Sequence, residues 1–179
     1  MMEKSTKFLS LAGWSGIMAG IYALAGAYLV YIQTNLDAPD DYSIIVQIGL
    51  IVLLLAVSTC IIFSYKKAKK NNEVLWNATT RRLVFNMAIP LIAGGILILI
   101  LLLKIEVEFT VPLTLIFYGL SLVNASRFTF DELRYMGIFE IVLGLLGTYF
   151  ISYRLLFWTL GFGILHIVYG IYMHWRYER

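Results

Sequence analysis

The stretch Ile44–Tyr65, IIVQIGLIVLLLAVSTCIIFSY, decides the fold of this chain. It holds no charged residue, and it is as long as the roughly 20 residues that a helix needs to cross a bilayer. Its apolar residues form one block and do not alternate with polar residues, which argues against a strand of a membrane β-barrel. Because a backbone inside lipid must satisfy its own hydrogen bonds, we predict a transmembrane helix here.

Apolar stretches of similar length occupy most of the remaining sequence. The six predicted transmembrane helices span residues 8–33, 44–65, 83–103, 109–126, 135–152 and 155–175. The chain has 179 residues, of which 60% are hydrophobic and only 14% charged, whereas about 25% of residues are charged in soluble domains. The sequence therefore predicts an all-α, polytopic integral membrane protein, a six-transmembrane-helix bundle that forms one transmembrane domain over residues 1–179.

The lysines and arginines orient this bundle. With six spans, both termini share one side of the membrane with the second and fourth connections. That side holds 12 of the 14 basic residues: Lys4, Lys7, Lys66, Lys67, Lys69, Lys70, Arg81, Arg82, Arg127, Arg134, Arg176 and Arg179. The other side holds Lys104 and Arg154. Since an excess of positive charge marks the cytoplasmic side, we predict a multi-pass protein of the cell membrane with cytoplasmic N- and C-termini.

The longest predicted connection is a basic cytoplasmic loop over residues 66–82. In the simpler interpretation it is a solvated loop whose charges set the topology. In the alternative, Lys66, Lys67, Lys69 and Lys70 bind anionic lipid beside an anchoring Trp76. Membrane lipid is a predicted partner of the chain, and a homo-oligomer or another membrane protein is a possible one. No nucleic-acid partner is expected, because topology accounts for the basic residues.

All 14 glycines lie inside the predicted helices, where small residues let helices approach closely. Gly13, Gly16 and Gly20 share one face of the first helix. They favour packing within the bundle, with a homodimer as the alternative. The fifth and sixth helices also echo each other. Gly137-Ile-Phe-Glu-Ile-Val-Leu-Gly144 aligns with Gly163-Ile-Leu-His-Ile-Val-Tyr-Gly170. A seven-residue spacing keeps each glycine pair toward one neighbouring helix.

Two ionisable residues, Glu140 and His166, lie deep inside predicted helices and occupy the same place in the echoed segments. Because a charge in the bilayer is costly, each is expected to face the bundle interior and to have a partner. The pair either ties two helices together or forms a proton- or substrate-coupling site. Further polar residues can extend a polar path, although each alone is more often an interhelical hydrogen bond; they are Asn86, Asn124, Ser121, Gln47 and Tyr118.

Three functional hypotheses follow. The first is a small transporter, channel-like or proton-coupled protein with Glu140 and His166 in its core. The second is a non-enzymatic membrane partner or regulatory subunit, and the third is an intramembrane enzyme acting on lipid with the same two residues as acid and base. The enzyme is the least favoured of the three hypotheses, because no nucleophile or headgroup site is evident. We expect no cofactor or metal, because Cys60 is the single cysteine and no metal-binding or phosphate-binding motif occurs.

Overall fold

The computed structural model of the chain describes residues 13–36, 42–70, 72, 74–104 and 106–177. These residues are almost entirely helical, and no strand occurs among them. The predicted all-α class is therefore confirmed. The predicted start of the first helix, residues 8–12, lies outside the described residues.

The helices follow the order of the predicted apolar stretches. They are α1 (Gly13–Leu36), α2 (Tyr42–Lys70), α3 (Ala78–Leu103), α4 (Thr110–Ala125), α5 (Glu132–Tyr149), α6 (Arg154–Trp158) and α7 (His166–Tyr177). A π-helical segment, Thr159–Leu165, joins α6 to α7 into one helical stretch. Short 3-10 turns occur at Val107–Phe109, Ser126–Phe128 and Ile151–Tyr153.

The connection between α2 and α3 is shorter than the predicted loop over residues 66–82. Helix α2 continues through Lys70, since lysine and alanine are good helix formers. Helix α3 already begins at Ala78, where the Thr80 backbone N–H donates to Oδ1 of Asn77 at 2.9 Å. This N-cap satisfies one of the first backbone donors of the helix. Only residues 71–77 therefore separate the two helices.

Within the described ranges, five helical stretches are long and apolar enough to cross a membrane. They are Gly13–Thr34, Tyr42–Lys70, Ala78–Leu103, Val107–Phe128 and Ile151–Tyr177. The remaining helix, α5, has 18 residues and carries Glu132, Arg134 and Glu140. It is thus shorter than the other five, and its 18 residues hold three charges, whereas each of the others includes an 18-residue window with at most two.

The chain forms two compact units. Of the described residues, those between Lys67 and Gly161 belong to one unit, and residues 13–36, 42–66 and 162–177 belong to the other. The assignment of the whole chain to a single transmembrane domain stays a prediction.

In the Lys67–Gly161 unit, α4 packs against both α3 and α5. The α4–α5 contact is a glycine crossing. A Cβ placed on Gly119 would lie 2.5 Å from the Gly137 carbonyl oxygen, and one on Gly137 would lie 2.6 Å from the Gly119 carbonyl oxygen. Further along, a Cβ on Gly144 would lie 2.9 Å from the carbonyl oxygen of Pro112. The two helices are therefore antiparallel and close enough for Cα–H···O contacts between backbones.

In the other unit, α1 packs against α7 through the same kind of crossing. A Cβ on Gly13 would lie 2.6 Å from the Gly170 carbonyl oxygen, and one on Gly170 would lie 2.6 Å from the Gly13 carbonyl oxygen. Gly16 also lies against Gly170, and a Cβ on Gly20 would lie 2.6 Å from the Gly163 carbonyl oxygen. The glycines of α1 and those of the echoed segment therefore meet each other along two antiparallel helices.

Helices α2 and α3 keep most of their apolar side chains exposed. None of the residues in the most apolar window of α2 is buried, and only 6% of those in the corresponding window of α3 are. So much exposed apolar surface on two long helices is unusual for a protein in water, where contiguous apolar patches are small. Lipid is the solvent that suits such a surface.

Candidate functional site

Glu140 is the most deeply buried charged residue that the structure describes, with none of its surface exposed. It lies in the middle of the buried face of α5, which is formed by Leu133, Met136, Gly137, Glu140, Gly144 and Gly147. These positions repeat at intervals of three and four residues, so they form a single helix face. The helix thus directs the Glu140 carboxyl group into the protein. The other residues of this buried face are apolar or small.

The Glu140 carboxyl group lies against the backbone of Gly161, in the same unit. A Cβ placed on Gly161 would lie 2.5 Å from Oε2 and 3.3 Å from Cδ of Glu140. The same point would be 2.5 Å from Cδ2 of Leu115, which is itself fully buried. The carboxyl group, a leucine of α4 and a glycine therefore share one small volume. A side chain larger than hydrogen at position 161 would fill it.

Gly161 belongs to the π-helical segment Thr159–Leu165, Thr-Leu-Gly-Phe-Gly-Ile-Leu. A π-helix replaces the i→i+4 hydrogen bonds with i→i+5 bonds and is frequently found at functional sites. Thr159 Oγ1 donates to the carbonyl oxygen of Leu155 at 2.7 Å, and such back-bonding bends a helix. The sequence predicted one uninterrupted helix over residues 155–175, so both this segment and Gly161 were missed. The signal available was the pair Gly161 and Gly163 within three residues.

His166 is the first residue of α7 and is buried, with 6% of its surface exposed. Its ring stacks on that of Phe162, with centroids 5.6 Å apart and an angle of 28° between the ring planes. Glu140 and His166 belong to different compact units. Their pairing stays a prediction.

The remaining polar candidates take different places. Ser121 is fully buried, and its hydroxyl lies 3.1 Å from the Met87 carbonyl oxygen of α3 and 2.9 Å from that of Phe117. The side chain of Asn86 donates along its own helix to the Arg82 carbonyl oxygen at 2.8 Å. Tyr118 is half-buried, whereas Asn124 and Gln47 are exposed. Ser121 thus makes a polar contact from the buried core of the Lys67–Gly161 unit to a neighbouring helix.

One interhelical hydrogen bond was not anticipated from the sequence. The hydroxyls of Tyr22 in α1 and Thr59 in α2 lie 3.3 Å apart, within the unit that contains both helices. Close by, a Cβ on Gly26 would lie 2.5 Å from Cγ2 of Val52. Tyrosine and threonine are too common in membrane helices for spacing alone to reveal such a pair.

Among the described residues, no three His, Cys, Asp or Glu side chains gather closely enough to hold a metal ion. The ionisable group of this site is the buried Glu140 carboxyl group, which can take up and release a proton. Comparison of the chain with protein-family models, with curated proteins and with solved structures finds no match.

Proposed function

We propose that this protein crosses the cell membrane six times, with both termini and the α2–α3 connection in the cytoplasm, as a small transporter or a proton-coupled, channel-like protein. Glu140 is the central ionisable group of this proposal. The sequence-based pairing with His166 is kept as part of it, because the two residues hold equivalent places in the echoed segments.

The packing of α5 on α4 supports the sixth span. Gly137 of α5 lies against Gly119 of α4, and Gly144 lies against Pro112 and Ile116 further along the same helix. Helix α4 belongs to one of the five stretches long enough to cross a membrane. An antiparallel neighbour that contacts it along this length lies at the same depth. With 18 residues, α5 is about 27 Å long, close to the hydrocarbon thickness of about 30 Å.

The distribution of basic residues supports the orientation. Counting α5 as a span places 12 of the 14 lysines and arginines on one side. Lys69 and Lys70, in the last turn of α2, and Arg81 and Arg82, near the start of α3, all flank the short connection 71–77. The positive-inside rule assigns this connection to the cytoplasm.

The observation that carries the functional proposal is the complete burial of the Glu140 side chain against Gly161. A carboxyl group within a membrane costs at least a few kcal/mol (about 2.5 or more at the centre of a helix), so such residues mark ion and proton pathways more often than ordinary packing sites. Gly161, which contacts Glu140, belongs to a π-helical segment. Such segments are frequent at functional sites. In this proposal, the Glu140 carboxyl group alternately binds and releases a proton, and this step moves protons through the protein.

Proton flux into reconstituted vesicles tests the proposal. Vesicles with an internal pH-sensitive dye are diluted into a more acidic buffer. Potassium and valinomycin hold the membrane potential constant. We expect the wild-type protein to carry protons faster than empty vesicles and Glu140→Gln to return the rate to that of empty vesicles. Glu108→Gln is the matched control, because Glu108 is an exposed residue of the Val107–Phe109 turn, and it should behave as the wild type.

Two outcomes contradict the proposal. One is wild-type protein that leaves the proton leak of the vesicles unchanged under every potential applied. The other is a Glu140→Gln protein that keeps the wild-type flux. Circular dichroism of each preparation confirms that the variants retain the helical content of the wild type.

A membrane partner or regulatory subunit is the second candidate function, and one observation favours it. Gly49 of α2 and Gly95 of α3 have open space where a Cβ would be, whereas each of the other twelve glycines has a neighbour. Small residues on exposed membrane helices permit close contact with another helix. Cross-linking in native membranes tests this candidate. A chain that yields no cross-linked species there would count against it.

A further inference from the structure

Four exposed basic side chains flank the connection between α2 and α3: Lys69, Lys70, Arg81 and Arg82, called here the basic cluster. All four belong to the Lys67–Gly161 unit. Ten residues separate Lys70 from Arg81: residues 71–77 between the helices, which reach at most about 25 Å, and Ala78–Thr80 of α3, which add about 5 Å. The two pairs are therefore held near each other by the chain itself.

The helix faces direct this cluster outward. At the end of α2, Ala68 is buried while Lys69 and Lys70 are exposed. At the start of α3, Thr80 and Leu83 are buried while Arg81 and Arg82 are exposed. Within the described part of the chain, none of the four pairs with a carboxylate. The four side chains are thus exposed at the ends of their helices.

The cluster lies at the depth of lipid headgroups if the helices span as proposed. The uncharged stretch Ile44–Tyr65 is about 33 Å long as a helix and fills the hydrocarbon core. The following turn of α2, which contains Lys69 and Lys70, thus emerges at the phosphates. Arg81 and Arg82 directly precede the apolar part of α3 in the same way. Trp76, 64% exposed between the two pairs, is the residue type that favours the membrane interface.

We propose that the basic cluster, with Trp76, binds the headgroups of anionic phospholipids in the cytoplasmic leaflet. The arginines offer paired donors that match a phosphate group, the lysines offer point charges, and the indole fixes the depth of the connection. Attraction of anionic lipid to juxtamembrane basic residues is strong and falls off within a Debye length. This site does not depend on whether Glu140 carries protons.

Native mass spectrometry of the full chain tests the proposal. The protein in detergent is mixed with equal amounts of phosphatidylglycerol and phosphatidylcholine, and the ratio of the two bound lipids is measured. We expect the wild type to favour phosphatidylglycerol. The variants Lys69→Gln/Lys70→Gln and Arg81→Gln/Arg82→Gln should each lower that preference by about tenfold, whereas the charge-preserving Lys69→Arg/Lys70→Arg should keep it. Each of the two glutamine variants leaves 10 of the 12 basic residues of that side in place, and the arginine variant leaves all 12, so the topology is retained.

The matched control removes two basic residues from the opposite side. Lys104→Gln/Arg154→Gln changes the net charge by the same amount and should leave the lipid preference unaltered. An equal loss in this control would mean that overall charge, and not this cluster, attracts the lipid, and would overturn the proposal. So would a wild type that binds both lipids equally. Inorganic phosphate added at constant ionic strength should not displace the lipid; full displacement would show a site for free phosphate and refute the lipid assignment.

Discussion

At the scale of single residues, the main feature is the buried Glu140 carboxyl group, which lies against Gly161. The sequence pointed to Glu140 because a charge within an apolar helix is costly and therefore stands out. It gave no comparable signal for Gly161, since one glycine among 14 looks like any other. What distinguishes Gly161 is the position of Oε2 of Glu140 and Cδ2 of Leu115 around it. Only the packed structure contains that information.

Gly161→Ala should lower the free energy of unfolding by about 1–3 kcal/mol, the usual cost of overpacking. The new methyl group would stand 2.5 Å from both Glu140 Oε2 and Leu115 Cδ2, so at least one of them must move. Gly95→Ala is the control, because a Cβ at Gly95 meets nothing within 4 Å; it should change stability by about 0.5 kcal/mol or less. Reversible unfolding of both variants in mixed micelles measures the difference. Equal stability of the two would contradict the described packing around Gly161.

At the scale of helices, two antiparallel glycine crossings organise the two compact units. Gly119 faces Gly137 in one unit, and Gly13 faces Gly170 in the other, each glycine approaching the carbonyl oxygen of its partner. Lipid tails are as apolar as leucine, so close packing and backbone contacts replace the hydrophobic effect as the force between membrane helices. The seven-residue glycine spacing predicted that each helix would present its small face to one neighbour. The identity of that neighbour, α4 for α5 and α1 for α7, came from the tertiary structure.

Gly119→Ala and Gly137→Ala should be individually destabilising but not additive. Each substitution alone places a methyl group within 2.6 Å of the opposite backbone oxygen and forces α4 and α5 apart. Once the helices have separated, the second methyl group costs less, and we expect a coupling energy within about 0.5–3 kcal/mol. A double-mutant cycle of unfolding free energies provides the measurement. Strictly additive effects would show that the two glycines do not share one contact.

At the scale of the whole molecule, five helical stretches of the described chain are long and apolar enough to cross a membrane, and α2 and α3 keep most of their apolar surface exposed. The count of spans depends on α5. That helix has 18 residues and three charged side chains, so composition alone does not place it among the spanning helices. Its antiparallel contact with α4 supplies the missing argument.

Cysteine labelling decides whether α5 crosses the membrane. In a Cys60→Ser background, single cysteines replace Asp131 and Ser152, two exposed residues that bracket α5. We expect an impermeant maleimide to label Ser152→Cys on intact cells and Asp131→Cys only after permeabilisation, because six spans place them on opposite sides. Lys104→Cys and Asn72→Cys serve as outer and inner references. Labelling of positions 131 and 152 from the same side would leave five spans and put the termini on opposite sides.

The sequence by itself determined the helical class, the order of the apolar helices and the ionisable residue that stands out among them. These follow from local physics, because helices in lipid satisfy their own backbone and a buried charge is costly wherever it lies. The tertiary structure decided the partners: Gly137 against Gly119, Gly13 against Gly170, and Gly161 of a π-helical segment against Glu140. It also decided that α2 and α3 stay largely uncovered. Which helices contact each other depends on which of their faces come together in space, and the hydropathy of the sequence does not specify this.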